Sequence, residues 1–175
     1  MAYWDTPGAS DEWYTPPHVF EALGCRFDMD VAAPRLIPSW IGDRLIPTSP
    51  KGGRRWLWEN SLEREWHGFI WMNPPFGGRN ALAPWLDKFF AHGDGIALTP
   101  DRTSAPWFWD AWAKADAVLF TRKLRFLRPD GSEGASPSNG TALWAAGDKA
   151  QRALENAELN GLGILAQPIR AMEAA

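Results

Sequence analysis

Apolar positions along this chain change rhythm several times, and each change marks an element. Val19, Phe20 and Leu23 recur at helical spacing between Thr15-Pro16 and Gly24. That spacing predicts a short helix with Thr15 as its cap, Pro16 at its first position and Gly24 at its end. Residues 27–31 alternate apolar with acidic (Phe27, Asp28, Met29, Asp30, Val31) and predict a strand that stops at Ala32-Ala33-Pro34. Phe69-Ile70-Trp71-Met72 is a continuous apolar run, as in a strand buried on both faces, and it breaks at Asn73-Pro74-Pro75-Phe76-Gly77-Gly78. Leu82, Trp85, Leu86 and Phe89 share one face of a predicted helix over 80–92, ahead of Gly93. A buried strand over 95–100, a helix opened by Ser104 and Pro106 and running to about 115, and a strand over 117–121 follow. Residues 123–127 and 141–145 are two further strand candidates around a polar turn, and the segment from Asp148 to Asn160-Gly161 is helix-forming.

The alternation of strand and helix predicts an α/β fold: a mostly parallel twisted sheet with helices on both faces and a late antiparallel hairpin. Residues 1–11 are polar and read as loose. Residues 34–65 carry Pro34, Pro38, Pro47 and Pro50 and the basic run Lys51-Gly52-Gly53-Arg54-Arg55, and read as an irregular insertion.

Composition narrows the class. With 175 residues, 45% hydrophobic and 22% charged, residues 1–175 fit one ordinary domain rather than a disordered tail. No apolar stretch approaches the ~18–20 residues of a membrane helix, and the first residues lack a basic-then-apolar leader, so no membrane partner and a cytoplasmic location are expected. The net charge of −3 excludes a strongly basic coat protein and leaves room for local basic patches. The single cysteine, Cys25, excludes an internal disulfide and a cysteine zinc cluster; His18, His67 and His92 have no ligand spacing, so no metal is expected. The 12 tryptophans read first as packing.

In doubly wound sheets, ligands bind beyond the carboxyl ends of the strands, which is where Asn73-Pro74-Pro75-Phe76 falls. Its parts suit methyl transfer to an exocyclic amine. The amino nitrogen of adenine is delocalised into its ring, and two acceptors holding its two hydrogens favour a nucleophilic, tetrahedral nitrogen. The Asn73 side-chain oxygen and the Pro74 carbonyl are candidate acceptors. The two prolines fix φ and withhold donors, and Phe76 offers a ring on which an extruded base stacks. Attack at cytosine C5 needs a thiolate, and Cys25 lies far from this turn in the pattern.

With these residues in view, the chain resembles the amino-group DNA methyltransferases that use S-adenosylmethionine, and among them the small phage-encoded DNA N6-adenine methyltransferases of the Dam type. The likeness runs through Trp13-Tyr14-Thr15-Pro16, residues 27–33, Trp71-Met72-Asn73-Pro74-Pro75-Phe76, residues 98–103 and Arg125-Phe126. It implies a Rossmann-like methyltransferase fold, S-adenosylmethionine as cofactor, double-stranded DNA as partner, and a location in the host-cell cytoplasm. It implies a catalytic role for Asn73, Pro74, Pro75 and Phe76. It further implies cofactor contacts from Trp13, Tyr14, Thr15 and Pro16, with the Thr15-Pro16 end holding the methionine part, and from Asp28 or Asp30 and the turn at Ala32. The glycine-rich turn expected after the first strand is replaced here by Val31-Ala32-Ala33-Pro34.

Arg122, Lys123, Arg125 and Arg128 read either as phosphate contacts or as a solvated, pairing-resistant edge. On a strand, Arg122 and Lys123 fall on opposite faces, with Arg125 beside Lys123. Lys51, Arg54 and Arg55 are DNA-contact candidates because flanking glycines let backbone approach a phosphate. Arg102 and Thr103 follow a buried strand at the same edge as Asn73 and are candidates for the target strand. Trp107, Phe108, Trp109 and Trp112 read as the buried face of a helix. Other readings stay open: the same chemistry on an RNA adenine or a protein glutamine amide, a non-catalytic DNA-binding or anti-restriction module, and a tryptophan-rich virion protein. The small size points to a short or relaxed target sequence.

Overall fold

The computed structural model describes residues 13–33, 60–76, 81–135, 137 and 139–169. Lys51, Arg54 and Arg55, the loose start and most of the expected insertion lie outside them. The elements in chain order are α1 (Pro17–Leu23), β1 (Met29–Asp30), a 3-10 turn (Ser61–Glu63), β2 (Ile70–Met72), α2 (Ala83–His92), β3 (Gly95–Pro100), α3 (Pro106–Lys114), β4 (Ala117–Thr121), β5 (Thr141–Ala146), α4 (Asp148–Leu159) and β6 (Gly163–Ala166).

These strands form one mixed sheet in the order β1-β2-β3-β5-β4-β6. β1, β2 and β3 pair in parallel, with Asp30 opposite Trp71 and Met72 opposite Ala97. The remaining pairs, β3 with β5, β5 with β4 and β4 with β6, are antiparallel. The expected mostly parallel sheet is therefore corrected: only its first half is parallel. β5 returns against the direction of β3 and inserts between β3 and β4, so the crossover through α3 steps over a strand position.

The late hairpin is corrected too. Residues 123–127 do not pair with β5; β4 does, from Ala117 opposite Ala145 to Thr121 opposite Thr141. Leu127 instead makes isolated bridges to Tyr14 and Glu133. With that strand gone, the period-two placement of Arg122, Lys123 and Arg125 falls with it.

Side-chain alternation on strands buried on both faces builds two cores. Trp71, Ile96, Leu98, Leu119 and Leu143 point to one side, where Val19, Phe20 and Leu23 of α1 and Ala150, Ala153 and Leu154 of α4 cover them. Ile70, Met72, Ala97, Val118 and Trp144 point to the other, under Leu86 and Phe89 of α2 and Phe108 and Ala111 of α3. Helices thus cover both faces, as expected. Phe108 meets Trp144 edge-on with ring centroids 4.7 Å apart. On α3 the packing expectation holds for Phe108, while Trp107 and Trp112 are half-buried and Trp109 is 68% exposed. Among the described residues, no helix is long and apolar enough to cross a membrane.

Candidate active site

Because β3 and β4 are both antiparallel to β5, they point the same way as β1 and β2. The carboxyl ends of β1 to β4 and the amino ends of β5 and β6 consequently share one edge. That edge collects Asp30, Asn73, the turn 101–103, Arg122 and Gly140, which are scattered over more than half the chain.

Asn73 follows β2 directly. Its Nδ2 donates to the Thr15 hydroxyl at 3.3 Å. Thr15 is 7% exposed, and it does not cap α1: the residue before the helix is Pro16, which provides no side-chain cap bond. The expected cap is thus corrected, since the hydroxyl is turned to Asn73 instead. Among the described residues, Asn73 Oδ1 receives no hydrogen bond, which leaves an acceptor at the edge. Pro74 is buried and Pro75 exposed; Phe76 is half-buried and packs against both cores, so it marks where they meet at the edge.

Thr15 is held from behind. Tyr14 N–H donates to the Leu127 carbonyl at 3.0 Å and Leu127 N–H to the Tyr14 carbonyl at 2.9 Å, which ties the segment to the loop after β4. The Trp13 ring approaches Gly134 so closely that a Cβ there would meet it at 2.5 Å. A side chain there would have to displace that ring and press on the Phe126 carbonyl, 2.9 Å from the same point. Tyr14 is 3% exposed and Trp13 40%.

Asp30 is 7% exposed, and the Ala32 N–H donates to its Oδ1 at 3.1 Å. Among the described residues that amide is its one hydrogen-bond donor. Burial raises its carboxyl to about 7, with the Ala32 amide opposing. Asp28 is placed apart from the edge. It precedes β1, its side chain is exposed, and its Oδ2 accepts the Phe69 N–H at 2.8 Å.

Around β1 the structure adds residues the sequence pattern did not single out. Ser61 Oγ donates to the Val31 carbonyl, and Trp66 Nε1 donates to the Ser61 carbonyl at 3.0 Å, clamping the turn after β1. Nothing local to Ser61 signals a partner 30 residues away. Val31 itself is fully buried and its N–H donates to the Trp71 carbonyl at 3.0 Å, so this turn is closed by packing and pairing rather than by glycine.

The basic candidates divide. Arg102 and Thr103 are exposed on the turn after β3, where Thr103 N–H donates to the Asp101 carbonyl at 2.8 Å. Arg122 is exposed at the end of β4. Arg125 is paired with Glu133 at 3.4 Å, and Arg128 donates to the Ser132 hydroxyl at 3.2 Å within the same loop. Cys25 sits half-buried against the α1 and α4 core, its thiol pushed up to about 11 by burial. Among the described residues, no group of His, Cys, Asp or Glu side chains could hold a metal ion.

No family model, no curated protein and no solved structure matches the chain. The fold and site therefore define, on their own geometry, an α/β protein with an asparagine-proline-proline turn at the carboxyl edge of a mixed sheet.

Proposed function

We propose that this chain is an S-adenosylmethionine-dependent DNA adenine N6-methyltransferase acting on a base extruded from the duplex. The observation that carries the reading is the anchored Asn73 amide directly beyond a buried strand, with Oδ1 left as an acceptor and Pro74-Pro75-Phe76 following.

The cofactor is tested by Asp30. A buried carboxylate with one amide donor and no cation partner among the described residues fits an ammonium or a pair of ribose hydroxyls. Asp30 at the end of β1 would hold it, with the turn at Ala32 beside it. Bound there, S-adenosylmethionine would supply a methyl carbon made electrophilic by its positive sulfur; the S–CH3 bond would break as the N6–CH3 bond forms, the sulfur would leave as a neutral thioether and one amino proton would pass to water. The chain's own part is to hold the acceptor. Asn73 Oδ1 and the Pro74 carbonyl accept the two amino hydrogens of adenine and draw its nitrogen towards a tetrahedral geometry. As positive charge develops on that nitrogen, both hydrogen bonds become charge-assisted, so they stabilise the transition state more than the ground state. Phe76 supplies the stacking face that offsets part of the cost of unstacking the base. Arg102, Thr103 and Arg122 flank the edge where a phosphate backbone would run.

The test is to incubate the protein with duplex DNA lacking adenine methylation and with methyl-labelled cofactor, then to hydrolyse the DNA and identify the labelled nucleoside. Label in N6-methyladenosine of the deoxy series is the expected result. Label on cytosine, or on RNA or protein but not DNA, overturns the reading. Mapping the modified adenines is expected to give a short or relaxed context.

A further inference from the structure

We infer that Thr15 is a positioning residue for the acceptor: its hydroxyl, 58 residues from Asn73 in sequence, holds the Asn73 amide in the plane that presents Oδ1 to the substrate amine. The substrate in this statement rests on the methyltransferase reading; the juxtaposition does not. The segment's expected role was to hold the methionine end of the cofactor, and the geometry gives its hydroxyl another partner.

Three observations support this. Thr15 is buried and Asn73 half-buried, so the hydroxyl side of the contact is withdrawn from water that would otherwise compete for it. Its hydroxyl has no capping duty, because α1 begins at Pro17 behind Pro16 and takes no side-chain cap bond. Its backbone cannot drift, because the preceding residue is locked to Leu127 by a two-way main-chain bridge of 3.0 and 2.9 Å. An asparagine side chain held only by its own torsions samples a broad range about its last bond. The same side chain with Nδ2 engaged is confined, and a displacement of about 1 Å in a reacting group's support is enough to cost about 100-fold in rate. The hydroxyl is ambivalent as donor and acceptor, so it adapts to Nδ2 without a second partner being rearranged.

Thr15→Val is close in shape and removes the hydroxyl alone. With DNA and labelled cofactor, it should lower kcat by about 100-fold while the KM for DNA and the calorimetric Kd for S-adenosylmethionine stay within about threefold of wild type. Thr15→Ser restores an oxygen at the same place and should recover most of the loss. An unchanged kcat overturns the proposal. So does a fall in cofactor affinity with kcat preserved at saturation, which makes Thr15 a cofactor contact. A second readout needs no turnover. The Asn73 side-chain amide signals in a nitrogen-15 spectrum, identified by their loss in Asn73→Asp, should move and exchange faster with water in Thr15→Val, and signals that do not respond overturn the positioning role. If wild type transfers no methyl group to any nucleoside, the methyltransferase reading falls and the amide signals alone decide this inference.

Discussion

Asp28 and Phe69 clasp each other at the amino ends of β1 and β2: the Asp28 N–H donates to the Phe69 carbonyl at 2.7 Å, and the Phe69 N–H donates back to Asp28 Oδ2 at 2.8 Å. The carboxylate is thereby spent on the sheet, at the end opposite Asn73. Asp30, two residues on, is buried at the carboxyl end beside Trp71. Strand geometry separates the two acids into a structural one and one available to a ligand.

Asp28→Ala should therefore cost stability and leave cofactor binding alone. Loss of a hydrogen bond to a charged acceptor amounts to about 1 kcal/mol at this partly exposed site. Urea unfolding should show the lower midpoint, and calorimetry an S-adenosylmethionine affinity equal to wild type. Asp30→Ala should do the reverse for the ligand and abolish measurable binding. A loss of binding in Asp28→Ala at full folding would reassign the cofactor carboxylate.

The two states of Asp30 also fix a pH dependence. Its folded carboxyl lies at about 7, above the ordinary range it has in the unfolded chain. The folded state thus binds the proton more tightly than the unfolded state. Stability from this group is full below about pH 4 and is lost progressively up to about pH 7. Asp30→Asn keeps the shape without the charge. In urea titrations between about pH 4 and 8, the variant should gain on wild type as pH rises, by an amount on the order of a few kcal/mol. A cationic ligand reverses the penalty, since it favours the ionised form. S-adenosylmethionine should bind wild type more tightly as pH rises through about 7, and a flat affinity profile would deny Asp30 the cofactor's ammonium.

How much of this was legible beforehand follows from the range of each signal. The place of Asn73 was readable because a continuous apolar run and two prolines are local features, and both survive in β2 and the turn after it. The helices over 83–92 and 106–114 were readable for the same reason, through apolar spacing and the residues at their ends. The pairing of β5 was not. Residues 117–121 and 123–127 both look strand-like, and periodicity says nothing about which of them meets Thr141; contacts such as Leu119 opposite Leu143 decide it. β6 leaves no signal in the sequence, since four residues with Ile164 72% exposed show no apolar alternation. Thr15 carries the local signature of a cap, a threonine before prolines and an apolar helix, while its partner lies 58 residues away and leaves no local trace.

Under the candidate edge, Trp144 Nε1 donates to Thr99 Oγ1 at 2.7 Å, and both residues are fully buried. The same Thr99 hydroxyl donates to the Pro100 carbonyl at 3.1 Å, so it uses both its acceptor and its donor. Thr99→Val leaves the indole N–H buried without a partner, at a cost of about 1–3 kcal/mol. Thr99→Ser keeps the oxygen and should lose less. A urea midpoint that falls for Thr99→Ser and not for Thr99→Val would show that the methyl group, not the hydrogen bond, supports β3 against β5.

Arg122 and Arg125 stand three residues apart and should contribute unequally to DNA binding. Arg122 is exposed at the edge and has no ion-pair partner among the described residues, whereas Arg125 must first leave Glu133. Each lysine or arginine that neutralises a phosphate adds about 0.9 to the slope of log affinity against log salt. Arg122→Ala should reduce that slope by about this amount, and Arg125→Ala by less. Glu133→Gln releases Arg125 for the phosphate and removes a like charge from the DNA's path, so binding at low salt should tighten and the slope should steepen. Filter binding of one duplex across a salt series measures all three. If Arg122→Ala and Glu133→Gln both leave the slope unchanged, the loop after β4 lies outside the interface, and the acidic chain must draw its phosphate contacts from elsewhere.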